Sequence, residues 1–248
     1  MFGDDAASYD RFRPAYPRKL LEQIVANATP GRPILEIGAG TGKATKALLA
    51  LGHSVVALEP DRRMAARLAV NCPPARMRIE HVELEAAALG FETFDLAVAA
   101  QAWHWVDRSV AYDRVADALV PGGALALIWH HPQPTQGLFG ESMQQLYRQL
   151  APSITNPLPG HKAEDFNPEA EPAEATVRFG EWHRLEHRWR RRLNAATLVG
   201  WLCTSSDHRM LGVAQRAELM NGVTALVNEF GGEVVVAMST VAHVGRRA

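Results

Sequence analysis

The sequence lacks the features of disulfide-rich, membrane-spanning and nucleic-acid-binding proteins. Its 248 residues include two cysteines, Cys72 and Cys203, which are too few for a disulfide framework or a zinc site and fit a reducing cytosol. No stretch approaches about 18 uninterrupted apolar residues, and the first residues lack the basic start and apolar core of a signal peptide. The formal net charge of −1 argues against a dedicated binder of nucleic acid or anionic membranes. We therefore expect a cytoplasmic protein without a membrane segment.

The first half of the sequence alternates short apolar strands with amphipathic helices. This alternation predicts βαβ units and a parallel sheet with helices on both faces. The predicted strands are 33–37, 54–59, 76–83, 94–100 and 124–129. The predicted helices are 17–28, 43–51, 62–70 and 106–119, the last ending at Pro121-Gly122-Gly123.

The regular alternation stops after Trp129. Residues 131–176 contain a helix-like segment, 138–150, followed by a proline-rich stretch, which indicates an insertion or lid and not a domain of its own. Strand patterns follow at 176–193 and 233–244, with one or two helices predicted between 195 and 230. We predict a single domain, 1–248, with an N-terminal cap segment at 1–30.

The stretch ILEIGAGTGKAT, residues 34–45, resembles three kinds of nucleotide-binding loop. A phosphate-binding P-loop would need glycine at position 37 and a hydroxyl at 44, but Ile37 and Ala44 stand there. We reject this interpretation, since the missing hydroxyl would be the magnesium ligand. A dinucleotide loop of the form G-x-G-x-x-G would need glycine where Lys43 stands. That interpretation stays open with less support.

The third interpretation is the pattern E-x-G-x-G-x-G, from Glu36 to Gly42. Alternate glycines leave bare backbone against which a ligand can lie, and the helix start beyond them suits a carboxylate as well as a phosphate. Glu36 would oppose a pyrophosphate but suit an ammonium group. The loop therefore favours an adenosine carrying an amino acid, and S-adenosylmethionine is such a ligand.

Two further acids follow at the predicted strand ends. Glu59 stands 21 residues after Gly38, where a carboxylate can accept both hydroxyls of a ribose. Glu83 ends the predicted third strand, close to the expected place of an adenine amino group. Both positions favour an adenosine ligand without choosing between cofactors.

Together with VVALEPD (55–61) and FDLAVAAQAWHWVD (94–107), the glycine loop resembles class I S-adenosylmethionine-dependent methyltransferases. The segment YDRFRPAYP (9–17) is similar to the one before the first helix in the small-molecule branch that includes trans-aconitate methyltransferase-like proteins. The resemblance covers residues 9 to about 130 well and the rest only in layout. It implies a doubly wound, mostly parallel, Rossmann-like α/β sheet of seven strands, the last antiparallel, with an inserted helical lid.

The resemblance also implies a set of cofactor contacts. Glu59 would bind the ribose, Pro60 would line the adenine, and Arg13 would pair with the methionine carboxylate. Glu83-Leu84 departs from the family's usual Asp-Ala or Ser-Phe at the adenine edge. The full predicted set is Arg13, Glu36, Gly38, Ala39, Gly40, Thr41, Gly42, Glu59, Pro60, Glu83, Leu84 and Gln101.

The expected reaction is a one-step in-line displacement on an activated methyl group, which needs no metal. A general base matters only if the acceptor holds its proton, and His104 is the candidate. Trp103 and Trp105 could wall an acceptor pocket or simply pack on the next helix. The other predicted pocket residues are Tyr9, Tyr16 and His130.

Other functions remain open at this stage. The chain could be an NAD-dependent oxidoreductase, which Lys43 and Glu36 disfavour, or a catalytically silent S-adenosylmethionine-binding protein. The arginine-rich stretch 178–192 could suggest an RNA substrate, but five of its six arginines occupy even positions, as on a solvated strand face. We expect a small-molecule acceptor and no nucleic-acid partner. The oligomeric state and the acceptor atom do not follow from the sequence.

Overall fold

A computed structural model describes residues 6–26, 28–159, 167, 171 and 173–248. These residues divide into two compact units. Unit 1 is drawn from 1–14, 131–161 and 188–239, and unit 2 from 15–130, 162–187 and 240–248. Parts of the predicted cap (1–30) and lid (131–176) lie outside the described residues. The single-domain prediction and the roles of these two segments stay predictions.

Seven strands form one sheet in the order β3-β2-β1-β4-β5-β7-β6. Neighbouring strands are parallel in the four pairs β1–β2, β1–β4, β2–β3 and β4–β5. The sheet is mostly parallel with one antiparallel strand, which confirms the predicted α/β class. The strands are β1 Ile34–Ile37, β2 Val55–Leu58, β3 Met77–Glu80, β4 Phe94–Ala100, β5 Leu119–Pro132, β6 Phe179–Asn194 and β7 Glu233–Arg247.

Ten α-helices lie in the described part of the chain. They are α1 Ala6–Phe12, α2 Arg18–Val25, α3 Lys43–Ala50, α4 Arg62–Asn71, α5 Arg108–Ala118, α6 Gly137–Leu150, α7 Ala173–Arg178, α8 Ala195–Cys203, α9 Ser206–Met210 and α10 Val213–Glu229. Asp61 caps α4 by accepting from the backbone N–H groups of Arg63 and Met64, as its position before the helix predicts. None of these helices is long and apolar enough to span a bilayer.

Strands β1, β2 and β4 of unit 2 are buried on both faces of the sheet, to which their side chains point alternately. Leu35 and Val56 belong to a core on one face with Tyr112 and Val115 of α5. The opposite face packs against α2, α3 and α4. Unit 1 has a separate core around α6, α8 and α10. The two covered faces explain why strands β1 and β2 are apolar at nearly every position.

The structure corrects three sequence-based boundaries. β3 ends at Glu80, so Glu83 lies three residues beyond the strand and not at its end. Residues 176–178 belong to α7, where Arg178 forms ion pairs with Asp113 and Asp117 of α5. Three helices, and not one or two, occupy most of residues 195–230.

The Pro121-Gly122-Gly123 turn lies inside β5, although the sequence places it before the strand. The pairing of β4 with β5 shifts register between Phe94 and Leu96. Gly122 has a positive φ of 74°. An irregularity of this kind accommodates proline and glycine in a strand, which is why the element begins earlier than predicted.

Candidate active site

The glycine loop between β1 and α3 adopts a backbone that requires glycine at alternate positions. Gly38, Gly40 and Gly42 have φ values of +66°, +58° and +88°. A Cβ on Gly38 would lie 2.6 Å from the Cβ of Ala102, and one on Gly42 would lie 2.5 Å from Leu68 Cδ1. These two glycines let the loop pack closely against the rest of unit 2.

Gly40 differs from its two neighbours in what it faces. A Cβ atom built on Gly40 would have no heavy atom of the described residues within 4 Å, so this part of the loop borders open space. The next residue, Thr41, is 1% exposed, and its hydroxyl has no hydrogen-bond partner among the described residues. Bare backbone and an unsatisfied buried hydroxyl are what a loop that holds a polar ligand would present.

Glu36 is buried beneath this loop with a relative exposure of 1%. Its Oε2 accepts a hydrogen bond of 2.6 Å from the hydroxyl of Thr45, one turn into α3. Burial raises the pKa of Glu36 to about 7, partly offset by the hydrogen bonds from Thr45, while the charge of Glu59 raises it further. The carboxyl is therefore poised to lose or retain a proton near neutral pH.

Glu59 follows β2 and holds the glycine loop from the side. Its Oε2 accepts from the Gly40 backbone N–H at 2.6 Å, and its Oε1 accepts from the Asp61 N–H at 2.9 Å. Burial raises the pKa of Glu59, while the two N–H donors act in the opposite direction. The same carboxylate thus fixes the position of Gly40 and stands at the end of β2, where a ribose-binding acid was predicted.

The chain leaves β4 through a strained residue. Gln101 has a φ of +58°, which is uncommon for a residue with a side chain, and its backbone N–H donates to the Ile128 carbonyl at 2.8 Å. Such a conformation costs about 1–3 kcal/mol and is typical of functional sites. Ala102, directly after it, is the residue whose Cβ faces Gly38.

The aromatic pair beyond Gln101 separates into a buried and an exposed ring. Trp103 is 1% exposed, and its Nε1 donates to the Tyr112 hydroxyl at 3.1 Å, as the packing alternative predicts. Trp105 is 65% exposed and lies 4.9 Å from the exposed ring of His104. Of the two tryptophans, Trp105 is therefore the one still available to an acceptor.

The predicted adenine-edge residues are divided between surface and core. Pro60 and Glu83 are exposed, whereas Leu84 is buried in the core beside α5. The backbone carbonyl of Leu84 accepts from Arg114 Nε at 2.9 Å. Glu83 lies beyond β3, in the loop that leads into a short 3₁₀ turn.

The structure brings together two predicted pocket residues, Tyr16 and His130. Their rings are stacked with centroids 4.7 Å apart and an interplanar angle of 14°. His130 is 3% exposed, and its Nδ1 lies 2.9 Å from the hydroxyl of Thr240. This arrangement fixes both rings at the carboxyl end of β5.

Arg13 and Tyr9 belong to unit 1, so their relation to the glycine loop stays a prediction. Within unit 1, Arg13 Nε donates to the Thr204 hydroxyl at 2.8 Å, and Nη2 donates to the Thr204 carbonyl at 3.0 Å. The Arg13 guanidinium also lies 5.3 Å from the centroid of the Tyr9 ring.

Residues 35–127 match the family model described as a methyltransferase domain. An uncharacterized methyltransferase of Mycobacterium tuberculosis is 37% identical over 129 residues, which cover 52% of this chain and 51% of that protein. An uncharacterized methyltransferase-like protein of Schizosaccharomyces pombe is 30% identical over 161 residues, covering 62% of each. Residues 35–127 are therefore similar to methyltransferase domains.

A solved structure agrees in fold. A protein of Anaeromyxobacter dehalogenans assigned as a type II methyltransferase superposes with a TM-score of 0.67, covering 95% of this chain and 98% of that one, at 22% identity. The chain spans about half the length of the first curated relatives that it matches.

Three residues that contact the predicted site residues were not identified from the sequence. Thr45 holds Glu36, Ala102 packs against Gly38, and Tyr112 accepts from Trp103. Thr45 had a detectable signal, because it lies nine residues after Glu36 at the start of the helix that follows the loop. The roles of Ala102 and Tyr112 depend on contacts between distant segments and had no local signal.

Proposed function

We propose that the protein transfers a methyl group from S-adenosylmethionine to a small-molecule acceptor. The observation that carries this proposal is the glycine loop, with its open side at Gly40 and a buried carboxyl on either side, Glu36 and Glu59. A sulfonium methyl group is already activated, so the protein has mainly to bind, orient and exclude water. Holding an acceptor in line with it can supply about 7–11 kcal/mol of the barrier.

Each chemical part of the cofactor has a proposed partner. The Glu59 carboxylate would accept the ribose hydroxyls, and the backbone around Gly40 would lie against the nucleoside. The Thr41 hydroxyl would gain its missing hydrogen-bond partner. Glu36, just below the loop, would favour a nearby ammonium group over a phosphate. Gly38, Ala39 and Gly42 shape the loop.

The remaining predicted residues complete the proposal. Pro60, Glu83 and Leu84 would border the adenine, Gln101 the methionine part, and Arg13 its carboxylate. Residues 131–176 would act as a lid and residues 1–30 as a cap.

The acceptor side of the proposal is less specific. His104 is exposed beside Trp105, so its imidazole is accessible to act as a base on an acceptor that holds its proton. Tyr16 and His130 offer a stacked aromatic surface. The near-neutral charge of the chain supports a small molecule over nucleic acid. The two scattered cysteines fit a reducing cytosol, and we propose a cytoplasmic location on that ground.

Calorimetric titration tests the cofactor, and a glycine outside the loop provides a matched control. We expect S-adenosylhomocysteine to bind and NAD not to bind. Gly40→Ala should weaken binding by at least about tenfold, because the new methyl group would occupy the open side of the loop. Gly52→Ala introduces alanine at another positive φ, +98°, with no described atom within 4 Å, but outside the loop. It should bind S-adenosylhomocysteine normally.

Binding of NAD without S-adenosylhomocysteine would favour an oxidoreductase and overturn the proposal. If Gly40→Ala and Gly52→Ala lost equal affinity for S-adenosylhomocysteine, the result would show that the glycine loop does not bind the cofactor. A methyl-acceptor screen with labelled cofactor then separates an enzyme from a silent binding protein, which would bind S-adenosylhomocysteine and methylate no acceptor.

A further inference from the structure

Unit 1 contains a buried cluster of polar groups that the proposed methyltransferase reaction does not use. The cluster consists of Arg191 on β6, Trp201 on α8 and His208 on α9. Arg13, which we propose above as the partner of the cofactor's carboxylate, lies beside the cluster but is not a member of it. All of these residues lie within unit 1.

Arg191 is half-buried, and no carboxylate among the described residues pairs with its guanidinium group. Its Nη2 donates to the Phe12 carbonyl at 2.6 Å, and its guanidinium carbon lies 4.8 Å from the centroid of the Trp201 ring. Its Nη1 is buried and has no hydrogen-bond partner among the described residues. Arg191 also forms no ion pair with any of these residues. Buried guanidinium groups are normally paired with anions, since removing their charge from water is costly.

Two neighbouring side chains also have unused nitrogen atoms. Trp201 is fully buried, and its Nε1 has no partner in the described part of the chain. His208 is 1% exposed; its Nε2 lies 2.7 Å from the Tyr147 hydroxyl, whereas its Nδ1 has no described partner. The indole and guanidinium nitrogens are obligate donors, and the imidazole nitrogen is a donor in the appropriate tautomer.

The segment that contains Arg13 lies between Arg191 and the end of α8. Arg191 binds the carbonyl of Phe12, the residue before Arg13, and Arg13 binds Thr204, three residues after Trp201. Burial lowers the pKa of Arg191 to about 10, and the charge of Arg13 adds to the effect. The pKa of His208 is lowered to about 4 by burial, opposed by Asp207 and reinforced by Arg13. Two guanidinium groups, those of Arg13 and Arg191, therefore lie near each other here, with the acidic Asp207 near His208.

We propose that unit 1 binds a small anion, through a carboxylate or phosphate group that accepts from Arg191 Nη1 and the Trp201 indole. An oxygen anion satisfies donors and offsets positive charge at the same time, which neither water nor a neutral ligand can do. The planar guanidinium matches both kinds of group. The proposal does not depend on methyl transfer, because its two donors, Arg191 Nη1 and the Trp201 indole N–H, are not among the proposed cofactor contacts.

Calorimetric titration of the full chain without cofactor tests this site. Succinate and inorganic phosphate are the two anionic probes, and succinamide is the neutral control. We expect at least one anion to bind, and succinamide not to bind. Which anion binds more tightly decides between carboxylate and phosphate.

Variants locate the site. Arg191→Gln should weaken anion binding by about tenfold or more, while Arg190→Gln, which removes an exposed arginine on the same strand, should have no effect. Trp201→Phe keeps the ring but removes the N–H donor, and should weaken binding by roughly three- to tenfold. This second variant decides the matter if Arg191→Gln does not fold, as judged by circular dichroism.

Absence of binding by both anions, or equal losses in the Arg191 and Arg190 variants, would overturn the proposal. Affinity for S-adenosylhomocysteine should change less than about twofold in Arg191→Gln. If the affinity of Arg191→Gln for S-adenosylhomocysteine fell tenfold while succinate and phosphate did not bind to the natural protein, Arg191 would contribute to cofactor binding instead. Failure of S-adenosylhomocysteine to bind would count against the proposed function and leave the anion titration unaffected.

Discussion

Replacing Glu36 by glutamine should abolish a decrease in the free energy of unfolding that occurs as the pH rises. The pKa of this buried carboxyl is about 7 in the folded chain, against an ordinary value of 4.5. Below about pH 4.5 it is protonated in both folded and unfolded chains. Between 4.5 and 7 the folded chain holds the proton more tightly, so the free energy of unfolding falls as the pH rises. At ~1.36 kcal/mol per pKa unit, the total loss is on the order of 3 kcal/mol.

Urea unfolding at about pH 5, 6, 7 and 8 measures this effect, because pH dependence reports proton linkage directly. The free energy of unfolding of the natural protein, relative to that of Glu36→Gln, should fall by about 2.5 kcal/mol over this range, because part of the total loss occurs below pH 5. Glu141→Gln changes an exposed glutamate and should keep the pH dependence of the natural protein. A difference between the natural protein and Glu36→Gln that stays constant within about 0.5 kcal/mol would refute the reasoning.

Three further substitutions test the packing that holds the site. Asp61→Ala removes the cap of α4 and should cost about 1 kcal/mol in denaturant unfolding; no measurable change would contradict the observed cap. Tyr112→Phe leaves the buried Trp103 indole N–H without its acceptor, so thermal unfolding should show a loss of about 1–3 kcal/mol. Gly38→Ala places a methyl group 2.6 Å from Ala102 at a positive φ, so we expect reduced soluble yield and a lower melting temperature; a natural melting temperature would show that the loop can move aside.

The fold was largely predictable because its signals are local. β1 and β2 are short apolar runs followed by a glycine and by a carboxylate, and each predicted strand overlaps an observed one. Boundaries were wrong where tertiary contacts decided them. Residues 176–178 alternate like a strand, but the ion pairs of Arg178 with α5 accompany a helix there. β3 ends at Glu80, and residues 81–83 form no part of the sheet.

The sequence by itself determined the glycine loop and its two acids, because the backbone conformation of Gly38, Gly40 and Gly42 is a property of residues without a Cβ. Only the tertiary structure decided the surroundings of each of these residues. It separated Gly40, which borders open space, from Gly38 and Gly42, which are packed. It buried Glu36 and raised its pKa, and it placed Arg191 in unit 1 without a carboxylate partner among the described residues. These properties depend on solvent exclusion and on side chains distant in the sequence, which local patterns do not encode.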